Sequence, residues 1–200
     1  MNAKQAPRDT SATLVPARRS FLGRSGGLVL SAAAIGLLAG KESLAAAGSA
    51  GSKDVDILNV ALGLEHEAIN AYQLGAQSGL LQKPVLDVAV LFQSHHKGHR
   101  DALIATIEKM GGKPVAEKSL DEYARALKAD TLKSQADVLT LAARLEMGAT
   151  NAYLGVIPAF GDSALAKVAG RLAADETMHW TALTSALGKA LPGGALSFGA

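Results

Sequence analysis

Apolar residues recur at intervals of three and four along the chain from about residue 54 onward, with little of the strict alternation that marks strands. This period predicts α-helices. Glycine, proline and N-capping residues mark the boundaries of four long helices. We expect them to span about 54–78, 84–110, 134–160 and 162–190, with room for a short extra helix within 113–133. The pattern predicts an all-α fold.

The four helices repeat one helical hairpin twice. The segment LEHEAINAY at 64–72 aligns with LEMGATNAY at 145–153, and HHKGHRDAL at 95–103 aligns with DETMHWTAL at 175–183. Short turns make the helices of each hairpin antiparallel, whereas a link of some 22 residues lets the chain run back along the bundle. This indicates a four-helix bundle with one long crossover. An up-and-down bundle is the alternative, although it needs only a short link at that point.

Each helix has an apolar stripe that is interrupted at one level by acidic or imidazole side chains. Each of these positions lies roughly 20 Å from its hairpin turn, at 1.5 Å per helical residue. We expect both turns at the same end of the bundle, so the side chains should meet in one layer. The six candidate metal ligands are Glu65, His96, His99, Glu146, Glu176 and His179.

Such a layer needs a compensating charge. Burial of an ionised carboxylate costs several kcal/mol unless the group is paired or bound to a cation. One or two divalent metal ions would offset that cost, and the pairs His96–His99 and Glu176–His179 have the i, i+3 spacing that lets two side chains reach one ion. The alternative is a metal-free layer of Glu–His pairs with trapped water.

Other polar and aromatic residues lie near this level. Tyr72 and Tyr153 each follow a candidate glutamate by seven residues on the same helix face. They are either core aromatics, hydrogen-bond donors to the ligands or carriers of a transient oxidising equivalent. Glu67, His66 and His95 fall off the stripe. We expect both histidines at the rim or on the surface, and the alternative for each is a supporting contact to the ligands.

The first 47 residues have the layout of an export signal rather than of a folded domain. A basic segment precedes the apolar run GGLVLSAAAIGLLAG and the small-residue string LAAAGSA, as in a secretory signal peptide. The run is short and glycine-rich for a membrane span, although an N-terminal anchor is the alternative. ARRSFLG at 17–23 resembles the twin-arginine signal. We expect a periplasmic protein whose folded domain comprises residues 48–200.

Charge and cysteine content narrow the possible partners. The whole chain has a net charge of +2, but residues 48–200 contain 14 basic and 16 acidic residues. The excess of basic residues therefore belongs to the N-terminal segment, and nucleic-acid binding is not indicated. The chain has no cysteine, which excludes disulfides and a cysteine-ligated iron site. Any redox activity would need an external electron donor.

These motifs resemble the ferritin-like superfamily, in which a glutamate precedes a tyrosine by seven positions and Glu-x-x-His motifs complete a metal site. The resemblance implies an all-α ferritin-like four-helix bundle built from a duplicated hairpin. It also implies that Glu65 and Glu146 are the lone glutamates, that Glu176 and His179 form one Glu-x-x-His motif, and that His99 is the histidine of the other. His96 stands where the family has a carboxylate.

The resemblance implies an exported metalloprotein that binds iron or manganese and reacts with oxygen or peroxide, or oxidises iron. As an enzyme it would be an oxidoreductase of the ferroxidase or peroxidase type. A non-enzymatic metal-binding or storage module and a structural bundle with a vestigial site are the alternatives. The additional imidazole of His96 also admits zinc or copper, which the carboxylates favour less. Homo-oligomers are compatible with the pattern, and a membrane anchor is not expected in the mature protein.

Overall fold

The computed structural model describes residues 50–194, so the predicted export signal at 1–47 lies outside the described residues. Within this range all regular secondary structure is helical and there is no strand, which confirms the all-α prediction. The α-helices are α1 (Ala50–Gln77), α2 (Lys83–Lys109), α3 (Leu120–Ala126), α4 (Gln135–Val156) and α5 (Ser163–Ala186), with short 3-10 helices at Ala129–Thr131 and Ile157–Ala159.

Local side-chain chemistry sets most helix starts. Pro84 lies in the first turn of α2, where a missing backbone N–H leaves no hydrogen bond unmade. Ser119, Ser134 and Asp162 precede α3, α4 and α5, and each side chain accepts a hydrogen bond from a backbone N–H of the first turn. These caps satisfy donors that the helix itself leaves free.

Two helix ends differ from the prediction. The third long helix was expected to reach residue 160, but α4 ends at Val156 and a 3-10 helix containing Pro158 follows. Proline cannot donate the hydrogen bond that would continue the α-helix. The last helix was expected to reach about residue 190, but α5 ends at Ala186, two residues before Gly188, whose φ is +67°.

The crossover between the two hairpins runs along α1. Asn59 near the start of α1 donates a hydrogen bond to the carbonyl of Lys113 (3.1 Å) and accepts one from the N–H of Val115 (2.7 Å). Further along α1, the Asn70 amide donates to the Glu117 carboxylate (2.6 Å). The crossover therefore leaves the end of α2 and travels toward the end of α1.

The two hairpin turns lie at opposite ends of the bundle, so the expectation that they share one end is wrong. The N–H of Gln82, in the first turn, donates to the Gln135 side chain at the start of α4 (2.9 Å). In the second turn, the N–H groups of Gly161 and Asp162 donate to the Asp54 carboxylate near the start of α1 (2.8 and 3.1 Å). A crossover that spans the bundle starts α4 beside the first turn, which puts the second turn at the other end.

Two apolar clusters form the core, and they involve different levels of the long helices. The first cluster comprises Leu58, Ala61, Leu62, Leu103, Ile107, Tyr153, Ala169 and Ala173. The second comprises Tyr72, Ala89, Phe92, Leu139, Ala143 and Leu183.

None of the helices in residues 50–194 combines the length and apolarity that a membrane span requires.

Candidate metal centre

The structure brings all six predicted ligand residues together between the two apolar clusters. Five of them are at most 2% exposed, and the sixth, His99, is mostly buried. Their ligand atoms form two groups of four in which all atoms lie within 4.8 Å of one another. The first group is Glu65, His96, His99 and Glu176, and the second is His96, Glu146, Glu176 and His179.

The six side chains share a layer because they lie near the middle of their helices. Glu65 is the sixteenth of the 28 residues of α1, and Glu176 is the fourteenth of the 24 residues of α5. At 1.5 Å per residue, a helix of this length spans roughly 40 Å, so its middle lies roughly 20 Å from either end. The predicted distance from the turns therefore leads to one layer even though the turns are at opposite ends.

His96 lies at the centre of the layer. Its Nδ1 is 2.8 Å from Oε2 of Glu65, and its Nε2 is 3.2 Å from Oε1 of Glu146 and 3.7 Å from Oε2 of Glu176. One imidazole ring therefore connects a carboxylate from each half of the repeat. In the ferritin-like pattern this position is a carboxylate, so the structure puts a ring with two nitrogens where two oxygens would be.

Glu176 connects the two ligand groups. Its Oε1 lies 3.3 Å from Nδ1 of His99, and its Oε2 lies 3.2 Å from Nδ1 of His179. No part of Glu176 is exposed to solvent. A carboxylate with one oxygen directed toward each group could bridge two ions. It could also bind a single ion held in either of the two groups.

The two tyrosines hold the lone glutamates across the repeat. The hydroxyl of Tyr72 donates to Oε1 of Glu146, and the hydroxyl of Tyr153 donates to Oε1 of Glu65. Each tyrosine thus donates a hydrogen bond to the glutamate of the other hairpin. Burial and then the neighbouring carboxylates raise the pKa of both phenols well above the ordinary value of 10.0, so both stay protonated as donors.

Two outer residues complete the layer: His95 and Asp175, of which the sequence analysis did not single out Asp175. The outer nitrogen of His99 lies 3.2 Å from Oδ2 of Asp175, and that of His179 lies 3.0 Å from Nδ1 of His95. His95 is half-buried, in keeping with a position at the rim, and its ring stacks on that of His179. The repeat contains a sequence signal for these two residues, because the alignment of its two halves pairs His95 with Asp175. Such outer partners fix the orientation of a metal-binding imidazole.

His66 is buried rather than at the rim or on the surface. It is 4% exposed because the crossover covers it, and its Nε2 lies 3.3 Å from the carbonyl of Val115. Glu67, which also falls off the stripe, is half-buried, and burial raises its pKa. Neither residue belongs to the two ligand groups.

The histidines of the layer hold protons strongly in the absence of a metal. Burial alone lowers the pKa of an imidazole, but the adjacent Glu146 and Glu65 raise the pKa of His96 to about 11. Glu176 and Glu65 likewise raise the pKa of His99 to about 10. Carboxylates within a few ångströms outweigh burial because they favour the charged ring.

The three carboxylates respond differently to the same surroundings. Burial raises the pKa of each, but the imidazoles of His96 and His99 reverse this for Glu65, and those of His179 and His96 reverse it for Glu146. Both acids therefore have lowered pKa values. Burial prevails for Glu176, whose pKa is raised.

Several buried atoms of the layer have no hydrogen-bond partner within residues 50–194. They are Nδ1 of His99, Oε2 of Glu146 and Oε1 of Glu176. The first and last are 3.3 Å apart, but their geometry is not that of a hydrogen bond. Unsatisfied buried polar atoms are rare and cost about 1–3 kcal/mol each. Since all three atoms belong to residues of the two ligand groups, a bound cation would give them a partner, and the residues fit a metal.

Fold and site together define a class: a four-helix bundle with a buried carboxylate–histidine layer able to hold a metal ion. The chain belongs to the ferritin-like domain family, whose model matches residues 53–189. The matched range includes α1, α2, α4 and α5 almost completely.

A solved structure agrees with this fold. The chain is similar to a conserved hypothetical protein, rv2844, from Mycobacterium tuberculosis, with 23% sequence identity and a TM-score of 0.59. The match covers 74% of this chain and 99% of that chain. A search of curated proteins finds no significant match.

Proposed function

We propose that this protein binds iron, or manganese in its place, in the buried layer and uses it in reactions with oxygen or peroxide. The observation that carries the proposal is the pair of four-residue ligand groups with unpartnered donor atoms. Three carboxylates with three imidazoles suit iron and manganese, which accept both oxygen and nitrogen ligands. Bound iron or manganese supplies the one-electron redox chemistry that amino-acid side chains lack.

The protein's own residues position the ligands. One side of the layer contains Glu65 and His99, and the other contains Glu146 and His179. Glu176 directs one carboxylate oxygen toward each side. Tyr72 and Tyr153 orient the lone glutamates through their hydroxyl groups. The outer partners orient the two flanking histidines. The apolar clusters on either side keep bulk water away, which strengthens electrostatic interactions within the layer.

The presence of an imidazole at His96 in place of a carboxylate affects how many ions the site holds. A carboxylate at this position would add a negative charge and two oxygens able to bridge, whereas neutral imidazole offers one lone pair. The two groups share both His96 and Glu176, so a second ion would compete with the first for the same side chains. This favours unequal affinities for the first and second ion.

A metal-holding module without turnover is the second candidate. The deep burial of the ligands favours it, because Glu176 and His179 have no measurable exposure and Glu65 is 1% exposed. A protein that stores or carries a metal gains from this enclosure, because enclosed ligands slow the release of a bound ion. Because the chain has no cysteine and thus no cysteine-ligated iron site, any electron donor used in turnover would be another molecule.

We also propose that the protein acts outside the cytoplasm. The basis is the sequence ARRSFLG at 17–23 followed by the apolar run, which lies outside the described residues. Conversion of Arg18 and Arg19 to lysine should leave the protein in the cytoplasmic fraction of a bacterium with a twin-arginine pathway. Unchanged export of this variant would remove the basis for the proposal.

Elemental analysis is the direct test of the metal proposal. The purified protein should carry iron or manganese after growth with either metal, and Glu176→Gln should lose most of it. Glu67→Gln is the matched control, because Glu67 is a half-buried glutamate outside both ligand groups. Oxygen and peroxide consumption by the loaded protein then separates the two candidates. A protein that remains metal-free after anaerobic addition of Fe(II) would contradict both.

A further inference from the structure

An apolar cavity of about 290 Å³ lies beside the ligand layer. Nineteen of the described residues line it, contributed by α1, α2, α4, α5 and the segments between them, and among these only Tyr72 and Glu146 carry a polar side chain. Glu146 is also a member of the second ligand group, and the Tyr72 hydroxyl donates to it. The cavity therefore ends at the layer.

The cavity opens to solvent at its other end. Pro84 and Val88 of α2 and Ala182 and Ala186 of α5 line it and are exposed, with Val88 at 40%. The mouth thus lies between the start of α2 and the end of α5. By contrast, Tyr72 is only 7% exposed. A molecule could enter between the two helices and reach the buried polar end.

Size and lining define the class of molecule that fits. A dry apolar cavity of about 150 Å³ accepts benzene, so a volume about twice as large accommodates an aromatic ring with a short alkyl chain. No Lys, Arg or His in the described part of the chain lines the cavity, so an anionic group would be buried without a partner. A hydroxyl group, in contrast, can hydrogen-bond to the Tyr72 oxygen or to Glu146 at the polar end.

We propose that this cavity binds a small uncharged molecule with an apolar body and one hydroxyl group, of which an alkylphenol is the simplest example. The apolar body lies among the alanine, valine and leucine side chains, and the hydroxyl lies at Tyr72 and Glu146. Binding does not require a metal. It goes beyond the proposed function by placing an organic ligand next to the metal layer.

Binding is tested on the metal-free full chain with 4-propylphenol and propylbenzene, by titration calorimetry or ligand-observed NMR. Both should bind saturably, with the phenol about two- to tenfold tighter, which corresponds to one hydrogen bond. Tyr72→Phe should reduce this preference. Equal affinity of the two probes for the unmodified protein would overturn the assignment of the hydroxyl.

Filling the cavity tests its location. Ala142→Leu places three extra carbons on a half-buried lining residue of α4 and should weaken binding of 4-propylphenol at least tenfold. Ala71→Leu repeats the test from α1, should the first variant fail to fold. Ala105→Leu is the matched control, since Ala105 is exposed on α2 outside the cavity, and should bind like the unmodified protein.

Several results would overturn the proposal. They are the absence of saturable binding of either probe and binding that survives both folded cavity-filling variants. A third is a dimer that Ala142→Leu converts to monomers, because the cavity would then receive a second copy of the chain. None of these depends on metal content, so this proposal and the metal proposal fail by different measurements.

Discussion

The pH dependence of stability provides a sharp test of the buried layer, because its sign depends on whether a metal is bound. Without a metal, nearby carboxylates raise the pKa of His96 to about 11 and of His99 to about 10, against an ordinary value of 6.5. A raised pKa in the folded state means that the stabilisation is complete below about pH 6.5 and is lost as the pH rises toward 10 or 11. The metal-free protein should therefore become less stable between pH 7 and 8.5.

The slope follows from proton counting. In that range the folded protein holds one proton on each of the two rings that the unfolded chain has mostly released. Each such proton changes the unfolding free energy by about −1.4 kcal/mol per pH unit, so the two together remove about 3 to 4 kcal/mol between pH 7 and 8.5. His179, whose pKa is also raised, acts in the same direction. This loss is large beside the total stability of about 5–15 kcal/mol of ordinary domains.

A bound metal should reverse the sign. Metal ligation requires unprotonated imidazoles, so metal binding releases protons and strengthens as the pH rises. A ligand that binds only the folded state stabilises it by mass action. The protein with excess Mn(II) should therefore unfold at higher urea concentration at pH 8 than at pH 7, whereas the protein with a chelator should do the opposite.

Urea unfolding followed by circular dichroism, from pH 6 to 8.5, measures both slopes. His99→Gln should remove about 1.4 kcal/mol per pH unit from the metal-free slope. His95→Gln is the matched control, because burial and then His179 lower the pKa of His95, so this neighbour is already neutral above pH 7. A metal-free slope near zero, or equal effects of the two variants, would refute the proposed ion pairing of the layer.

Two further substitutions test individual contacts. Tyr153→Phe removes a hydrogen bond to the buried Glu65 carboxylate and should cost about 1.5–3 kcal/mol in the metal-free protein, measured by urea unfolding. Tyr123→Phe is the control, because the hydroxyl of this buried tyrosine accepts a long hydrogen bond (3.4 Å) from a backbone N–H and contacts no carboxylate of the layer. A similar loss of stability in both variants would contradict the role assigned to Tyr153. His96→Glu restores the carboxylate of the ferritin-like pattern, adding a negative charge and a second oxygen. It should raise the number of bound divalent ions per chain, measured by elemental analysis after dialysis, and an unchanged number would show that His96 does not limit the site.

The helices and the residues of the buried layer could be predicted from local sequence. Capping residues such as Ser134 and Asp162 and the prolines act within one turn, so the sequence around them is sufficient. The period of the apolar residues identifies the buried face, and an acid or imidazole on that face is visible as an exception. For this reason the six residues that meet in the layer can be recognised in the sequence.

The path of the chain between helices is not a local property. The link between α2 and α4 is long enough to reach either end of the bundle, and contacts such as Asn59 with Val115 and Gln82 with Gln135 select one path. Only that path makes the two hairpin turns lie at opposite ends. It also buries His66 beneath the crossover, although the pattern along α1 suggested an outward position.

The sequence by itself determined the helical class, the repeat and the chemical composition of the buried layer, because helix periodicity and capping depend on neighbours within a few residues. Tertiary structure alone decided which groups meet. The tyrosine of each hairpin bonds the glutamate of the other, Asp175 and His95 back the two flanking histidines, and an apolar cavity ends at Glu146. These contacts join residues up to 88 positions apart, and only the packing of the two hairpins brings such residues within bonding distance.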